Sequence, residues 1–203
     1  KVVELFYDVV SPYSWLAFEV LCRYKNVWNI DLKFKPSFLG GVFHGSAYIL
    51  TKGFYSNSIY FFLKSILKLV KNIINHFFLS FFPSTLPAMR FVTAIAEKNQ
   101  EENVLVEKVS RELWKRMWQK HQDITQPLSL TEAGLLVGLS SNEVEELLTN
   151  AKSQPIKDKL KSVTQEALEK NAFGLPFIVC HVNGKVEVFF GCDRFELIAH
   201  CIG

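Results

Sequence analysis

Residues 6–17 read Phe-Tyr-Asp-Val-Val-Ser-Pro-Tyr-Ser-Trp-Leu-Ala, FYDVVSPYSWLA. The run leading into them, Val2-Val3-Glu4-Leu5-Phe6-Tyr7, is β-branched, aromatic and nearly all apolar, the composition of a strand buried on both faces. Ser11 can then cap a helix, with Pro12 at its first position, where a missing N–H is harmless. Trp15, Leu16, Val20, Leu21 and Tyr24 recur at helical spacing and are expected to form its inward side. Ile30-Asp31-Leu32-Lys33-Phe34-Lys35-Pro36 alternates strictly and stops at proline, a second strand. Strand, helix, strand with a helical crossover is a βαβ unit, so the two strands are predicted to be parallel.

Strand signals are absent from Leu39 to Asn171, and helical patterns take their place. Lys64, Lys68, Lys71, Asn72 and Asn75 make one polar stripe backed by Phe62, Ile66, Leu67, Val70 and Ile73, an amphipathic helix. Pro87 opens another helix through Met89, Phe91, Val92 and Ile95, and a third is expected over Val104–Lys120. Ser140 and Glu143 form a capping-box pair, and a further helix runs from Pro155 to Lys170. Phe177–Val182 and Lys185–Phe190 flank Asn183-Gly184, a strong hairpin signal. Asp193, with Glu196 three residues later, is read as the cap of a last helix. The order βαβ, helical block, ββα is a thioredoxin-like α/β fold: a four-stranded mixed sheet carrying a large all-helical insertion. The expected units are residues 1–38 with 172–203 for the thioredoxin-like domain, and 39–171 for the inserted helical domain.

Composition narrows the function. Of 203 residues, 23 are basic and 20 acidic, a balance that argues against nucleic acid as the main partner. Yet no Asp or Glu occurs between Leu32 and Ala96, so a basic surface is expected on that segment. Cys22, Cys180, Cys192 and Cys201 show neither a CxxC pair nor zinc-like spacing and read as free thiols of a reducing compartment, with no metal site. The most membrane-like stretch, Tyr60–Phe82, is interrupted by Lys64, Lys68 and Lys71, so no membrane span is expected.

Three places can carry chemistry. Ser11 has no GxSxG elbow and no recognisable triad, which argues against a nucleophilic serine. It is either a plain helix cap or a hydroxyl donor to a bound anion, since unpaired N–H groups and the dipole favour negative charge there. Together these effects can lower a bound thiol's pKa by roughly one or two units. Pro176, in Phe173-Gly174-Leu175-Pro176-Phe177, either initiates a strand in the ordinary way or is a cis-proline whose preceding main chain can pair with an extended peptide. Asp193 can hold a ligand ammonium beside the N–H groups of the last helix, with Cys192 next to it.

The stretches VELFYDVVSPYSWLAFEVLCRY (3–24), AMRFVTAI (88–95), SRELWKRMW (110–118), AFGLP (172–176) and FFGCDRFELIAH (189–200) resemble the kappa-class glutathione transferases across nearly the whole chain. The resemblance implies glutathione as co-substrate, a hydrophobic electrophile such as an aryl halide or a hydroperoxide, and a homodimer of the mitochondrial matrix or peroxisome. It assigns Ser11 as the catalytic residue beside the glutathione sulfur, with Pro12 and Tyr13 alongside. Leu175 and Pro176 become the main-chain contact, and Cys192 and Asp193 the holders of the γ-glutamyl end. Cys192 stands where the family has a serine and is retained chiefly for its backbone N–H. The family's glutathione-binding asparagine has no counterpart in Gly40-Gly41-Val42-Phe43-His44-Gly45-Ser46-Ala47-Tyr48, so no residue is carried over there. A glutathione-dependent 2-hydroxychromene-2-carboxylate isomerase and a non-catalytic glutathione-binding protein are the alternatives. A disulfide oxidoreductase would need cysteines where Ser11 and Ser14 stand.

Overall fold

The computed structural model describes residues 1–52, 84–98 and 103–203. Its sheet has the order β2-β1-β3-β4, with β1 Val2–Tyr7, β2 Asp31–Pro36, β3 Phe177–Val182 and β4 Lys185–Phe190. β1 and β2 are parallel, and both β1–β3 and β3–β4 are antiparallel. The hairpin turns through Asn183 (φ 51°) and Gly184 (φ 76°), two residues in the left-handed conformation that an Asn-Gly turn requires.

The helices are α1 Pro12–Tyr24, α2 Leu39–Lys52, α3 Leu86–Lys98, α4 Val104–Trp114, α5 Pro127–Leu136, α6 Ser141–Asn150, α7 Gln154–Glu169 and α8 Phe195–Ile202. The predicted amphipathic helix around Lys64–Asn75 lies outside the described residues. On one face of the sheet, Val3, Leu5, Tyr7, Leu32, Phe34, Ile178 and Cys180 pack with α1 and α8. The same buried cluster continues through Met89, Phe91, Val109, Leu113 and Trp114, so α3 and α4 share a core with the sheet. On the other face, Phe6, Phe177 and Val179 lie under Leu39 and Val42 of α2 and Val163, Ala167 and Leu168 of α7.

Two sequence expectations are corrected. The inward side of α1 is Ser14, Ala17, Phe18 and Leu21, whereas Leu16 and Tyr24 are exposed. The helix is turned to seat Phe18, whose ring lies 4.7 Å from that of Phe34 and 4.9 Å from Trp114. The helix expected over Val104–Lys120 is α-helical only to Trp114, after which Lys115–Gln119 widens into a π-turn. That turn accompanies burial of Arg116 between Glu112 (3.1 Å) and Glu132 (2.8 Å). Leu39–Lys52, at the start of the expected helical block, is helical in spite of its glycines. Those glycines let α2 approach α7: a Cβ on Gly45 would collide with Leu168, and one on Gly41 would sit 3.0 Å from Thr164 Cγ2.

Candidate active site

The site is assembled by three connections at one end of the sheet's strands: β1 to α1, the turn before β3, and β4 to α8. Ser11 is the cap of α1, with extended backbone (φ −88°, ψ 115°), and Pro12 opens the helix. The Ser11 hydroxyl is almost fully buried and works in two directions. Its oxygen accepts from Ser14 N at 3.1 Å, and its proton goes to the carbonyl of Leu175 at 3.3 Å. The Leu175–Pro176 peptide is cis. The carbonyl of Pro176 accepts from Gly191 N at 3.1 Å, tying the second connection to the third. Gly191 has φ 98°, and a Cβ there would lie 2.9 Å from Asp193 Oδ1, so both its backbone and its neighbour favour glycine.

Ser11, Pro12, Leu175 and Pro176 are therefore brought together, with Cys192 and Asp193 following directly on the bonded Gly191. Tyr13 is exposed at the mouth of the α1 turn. Asp193 does not cap α8: Arg194 holds the cap position, and no side-chain cap bond forms. Because Gly191 turns the chain, the Asp193 carboxylate points back over it and lies 3.6 Å from Arg194 Nε, largely exposed. Burial, with Asp193 beside it, pushes the Cys192 thiol up. Burial also pushes Cys22 and Cys180 up to about 12. None of these three thiols is thereby activated as a nucleophile.

Sequence reasoning missed the supports beneath Ser11. Asp8 is fully buried, and its carboxylate accepts from Val10 N at 3.0 Å, Leu39 N at 2.8 Å and the Thr85 hydroxyl at 3.0 Å. One side chain thus fixes the loop before Ser11, the first residue of α2 and the residue preceding α3. Burial raises the Asp8 pKa to about 6, against the lowering effect of the three hydrogen bonds. On the other side, Trp114 Nε1 donates to the Ser11 carbonyl at 3.2 Å, and Tyr7 OH bonds the Ser110 hydroxyl at 2.7 Å in the buried interior. A lone acid inside the apolar run of residues 5–10 was the available signal for Asp8. Trp114 carried none beyond its place on the inward side of α4.

The arrangement can hold an anion. A hydroxyl at the start of an α-helix can turn its proton to an incoming negative atom, and the dipole there favours that atom by on the order of 0.5–2 kcal/mol. Among the described residues no group of three or more His, Cys, Asp or Glu could hold a metal ion, and no helix is long and apolar enough to cross a membrane.

The DsbA-like thioredoxin domain family matches residues 2–203. Glutathione S-transferase kappa 1 of Homo sapiens is 42% identical over 216 residues, covering all of this chain and 91% of that protein. Glutathione S-transferase kappa 1 of Rattus norvegicus is 41% identical over 209 residues, again covering the whole chain and 91% of the relative. A solved 2-hydroxychromene-2-carboxylate isomerase superposes with a TM-score of 0.66 at 16% identity, covering 100% of this chain and 95% of that one, a likeness of fold. With relatives above 40% identity along its full length, the chain belongs to the kappa class of glutathione S-transferases, within the DsbA-like thioredoxin family.

Proposed function

We propose that the protein is a glutathione transferase in which Ser11 and the N-terminus of α1 stabilise the glutathione thiolate. The observation that carries this reading is the Ser11 hydroxyl, capping α1 and reaching the carbonyl before the cis-proline in one arrangement. When glutathione binds, the hydroxyl proton turns from the Leu175 carbonyl to the sulfur. The carbonyl is then open to accept a main-chain N–H of the tripeptide. The ligand exchanges one hydrogen bond for two, and the thiol loses its proton to solvent more readily. Asp193 takes the γ-glutamyl ammonium, and the backbone at Cys192 lies beside it.

The thiolate then attacks the electrophile directly. With an activated aryl chloride the new C–S bond forms as the C–Cl electron pair leaves as chloride, so no covalent enzyme intermediate is needed. Identity to kappa relatives supports transfer over the isomerase alternative, whose support is a likeness of fold at 16% identity. The four unpaired cysteines suit a reducing compartment, the mitochondrial matrix or peroxisome implied by the sequence resemblance. The expected assembly is a homodimer.

Steady-state conjugation of glutathione to 1-chloro-2,4-dinitrobenzene tests the activity. Saturable turnover is expected. Calorimetric binding of glutathione without turnover on this substrate or on a hydroperoxide would reduce the protein to a binding module.

A further inference from the structure

Ser14 is a buried polar residue that the thiolate chemistry leaves unused. It is fully enclosed on the inward side of α1, where its companions Ala17, Phe18 and Leu21 are all apolar. Its N–H is occupied, donating to Ser11 Oγ at 3.1 Å. Its hydroxyl oxygen is buried and has no hydrogen-bond partner among the described residues. Buried polar atoms are nearly always paired, and one that is not lowers stability.

The usual outlet for a helical hydroxyl is the carbonyl four residues back. Thr93, Thr131, Thr149 and Thr164 take it, donating to the carbonyls of Met89, Pro127, Glu145 and Leu160 at 2.7, 3.0, 2.9 and 2.7 Å. For Ser14 that carbonyl belongs to Val10, in the turn ahead of α1, and the helical ladder starts one residue later, with Trp15 N on the Ser11 carbonyl. Alanine would fill the same place without the loss of stability, as Ala17 does one turn along. A hydroxyl kept beside Ser11 at that cost calls for a bond made in another state of the site.

We propose that Ser14 is a positioning residue whose hydroxyl donates to Ser11 Oγ once the Ser11 proton has turned to a bound thiolate, an inference that rests on the reading of Ser11 as the thiolate's donor. Ser11 Oγ has two lone pairs; Ser14 N–H takes one, and the other is left for the Ser14 hydroxyl. A turn of the Ser14 side chain about χ1, between staggered positions, brings up the O–H of the residue whose N–H is already bonded there. Hydrogen bonds in a chain strengthen one another, so Ser14 O–H to Ser11 O–H to sulfur holds the thiolate more firmly than Ser11 alone. Ser14 does not touch glutathione; it acts through Ser11.

The test is a pH titration of the ultraviolet thiolate absorbance of bound glutathione in wild type, Ser14→Ala, Ser11→Ala and the double variant. Wild type should ionise the bound thiol roughly one to two pH units below free glutathione. In Ser14→Ala the midpoint should rise by about half a unit, a roughly threefold fall in the thiolate-to-thiol ratio. On the Ser11→Ala background the same change should move nothing further, because the residue through which Ser14 acts is gone. Urea unfolding without ligand should find Ser14→Ala at least as stable as wild type, since alanine removes a buried hydroxyl that has no partner and favours the helix. An unmoved midpoint in Ser14→Ala, an additional shift on the Ser11→Ala background, or a less stable Ser14→Ala protein would each overturn the proposal. A wild-type midpoint no lower than that of free glutathione would overturn the thiolate reading itself and this proposal with it, so the two failures are distinguishable.

Discussion

Trp114 Nε1 donates to the main-chain carbonyl of Ser11 across 103 positions of sequence, at 3.2 Å. Its indole also stacks parallel to Trp15 (6.3 Å, 3°) and lies 5.4 Å from the ring of Tyr7. A residue of the helical insertion thus grips the backbone of the residue that begins α1. The hydroxyl of Ser11 is aimed by its own backbone, so the grip bears on its direction as well as on stability.

Trp114→Phe keeps an aromatic ring in the cluster and removes the indole N–H. The Ser11 carbonyl still accepts from Trp15 N at 3.2 Å, so it is not left orphaned. The expected cost is therefore about 1 kcal/mol from the hydrogen bond, plus a small packing loss. Turnover should fall severalfold while glutathione affinity changes little. Equilibrium unfolding in urea together with kcat and KM for conjugation separates these effects; unchanged kcat would limit Trp114 to packing.

Ser11→Ala removes an acceptor for Ser14 N and a donor to the Leu175 carbonyl together. Loss of the cap should destabilise the protein by about 1 kcal/mol. If the hydroxyl also steadies the glutathione thiolate, the pH profile of kcat/KM moves upward by roughly one unit or more, because the thiol now ionises with the helix end alone. Glutathione affinity should change far less. A profile that stays in place would leave Ser11 as a cap and nothing more.

Asp193→Ala tests the opposite end of the ligand. The carboxylate makes no cap bond to α8, and its contact with Arg194, at 3.6 Å, is exposed. Removal should leave the melting temperature within a degree or two, since exposed pairs contribute little. Glutathione binding by calorimetry should weaken about tenfold or more, the usual loss when a charged group loses its partner. Retained affinity would detach Asp193 from the γ-glutamyl end.

What could be read from the sequence was local. The strands came from alternation in 30–36 and from Asn183-Gly184, and the α1 start from Ser11-Pro12, because each is set by residues within a few positions of one another. The sequence left Pro176 open between an ordinary strand start and a cis-proline, and the structure makes it cis, with the Ser11 hydroxyl on the Leu175 carbonyl. What escaped reading depends on contacts distant in sequence. Gly41 and Gly45 lower helix propensity locally but permit α2 to lie against Thr164 and Leu168. Leu16 looks inward by periodicity, yet Phe18 turns the helix because Phe34 and Trp114 are waiting for it. Asp193 matched a cap pattern that Gly191, with its positive φ, redirected.

Asp8 offers a test through pH. All three of its partners are donors, so the carboxylate is the form that the surroundings bind, and with a pKa of about 6 it is mostly ionised at neutral pH. Burial nevertheless raises the folded value above the ordinary 3.8, so the folded state holds the proton more tightly than the unfolded chain. Its contribution to stability is accordingly fullest below about pH 4, declines as pH rises from there through about 6, and is level above that. The difference between 3.8 and about 6 corresponds to a decline of roughly 3 kcal/mol. Asp8→Asn cannot titrate, and its amide sets a donor against either the Val10 N–H or the Leu39 N–H, an orphaned buried group that costs about 1–3 kcal/mol. Urea unfolding of both proteins at pH 4, 5, 6 and 7 should show wild type exceeding the variant most at pH 4, with the margin shrinking as pH rises and other titrating groups cancelling in the difference. A margin that grows with pH would mean that the three hydrogen bonds outweigh burial and hold the Asp8 carboxyl below its ordinary value.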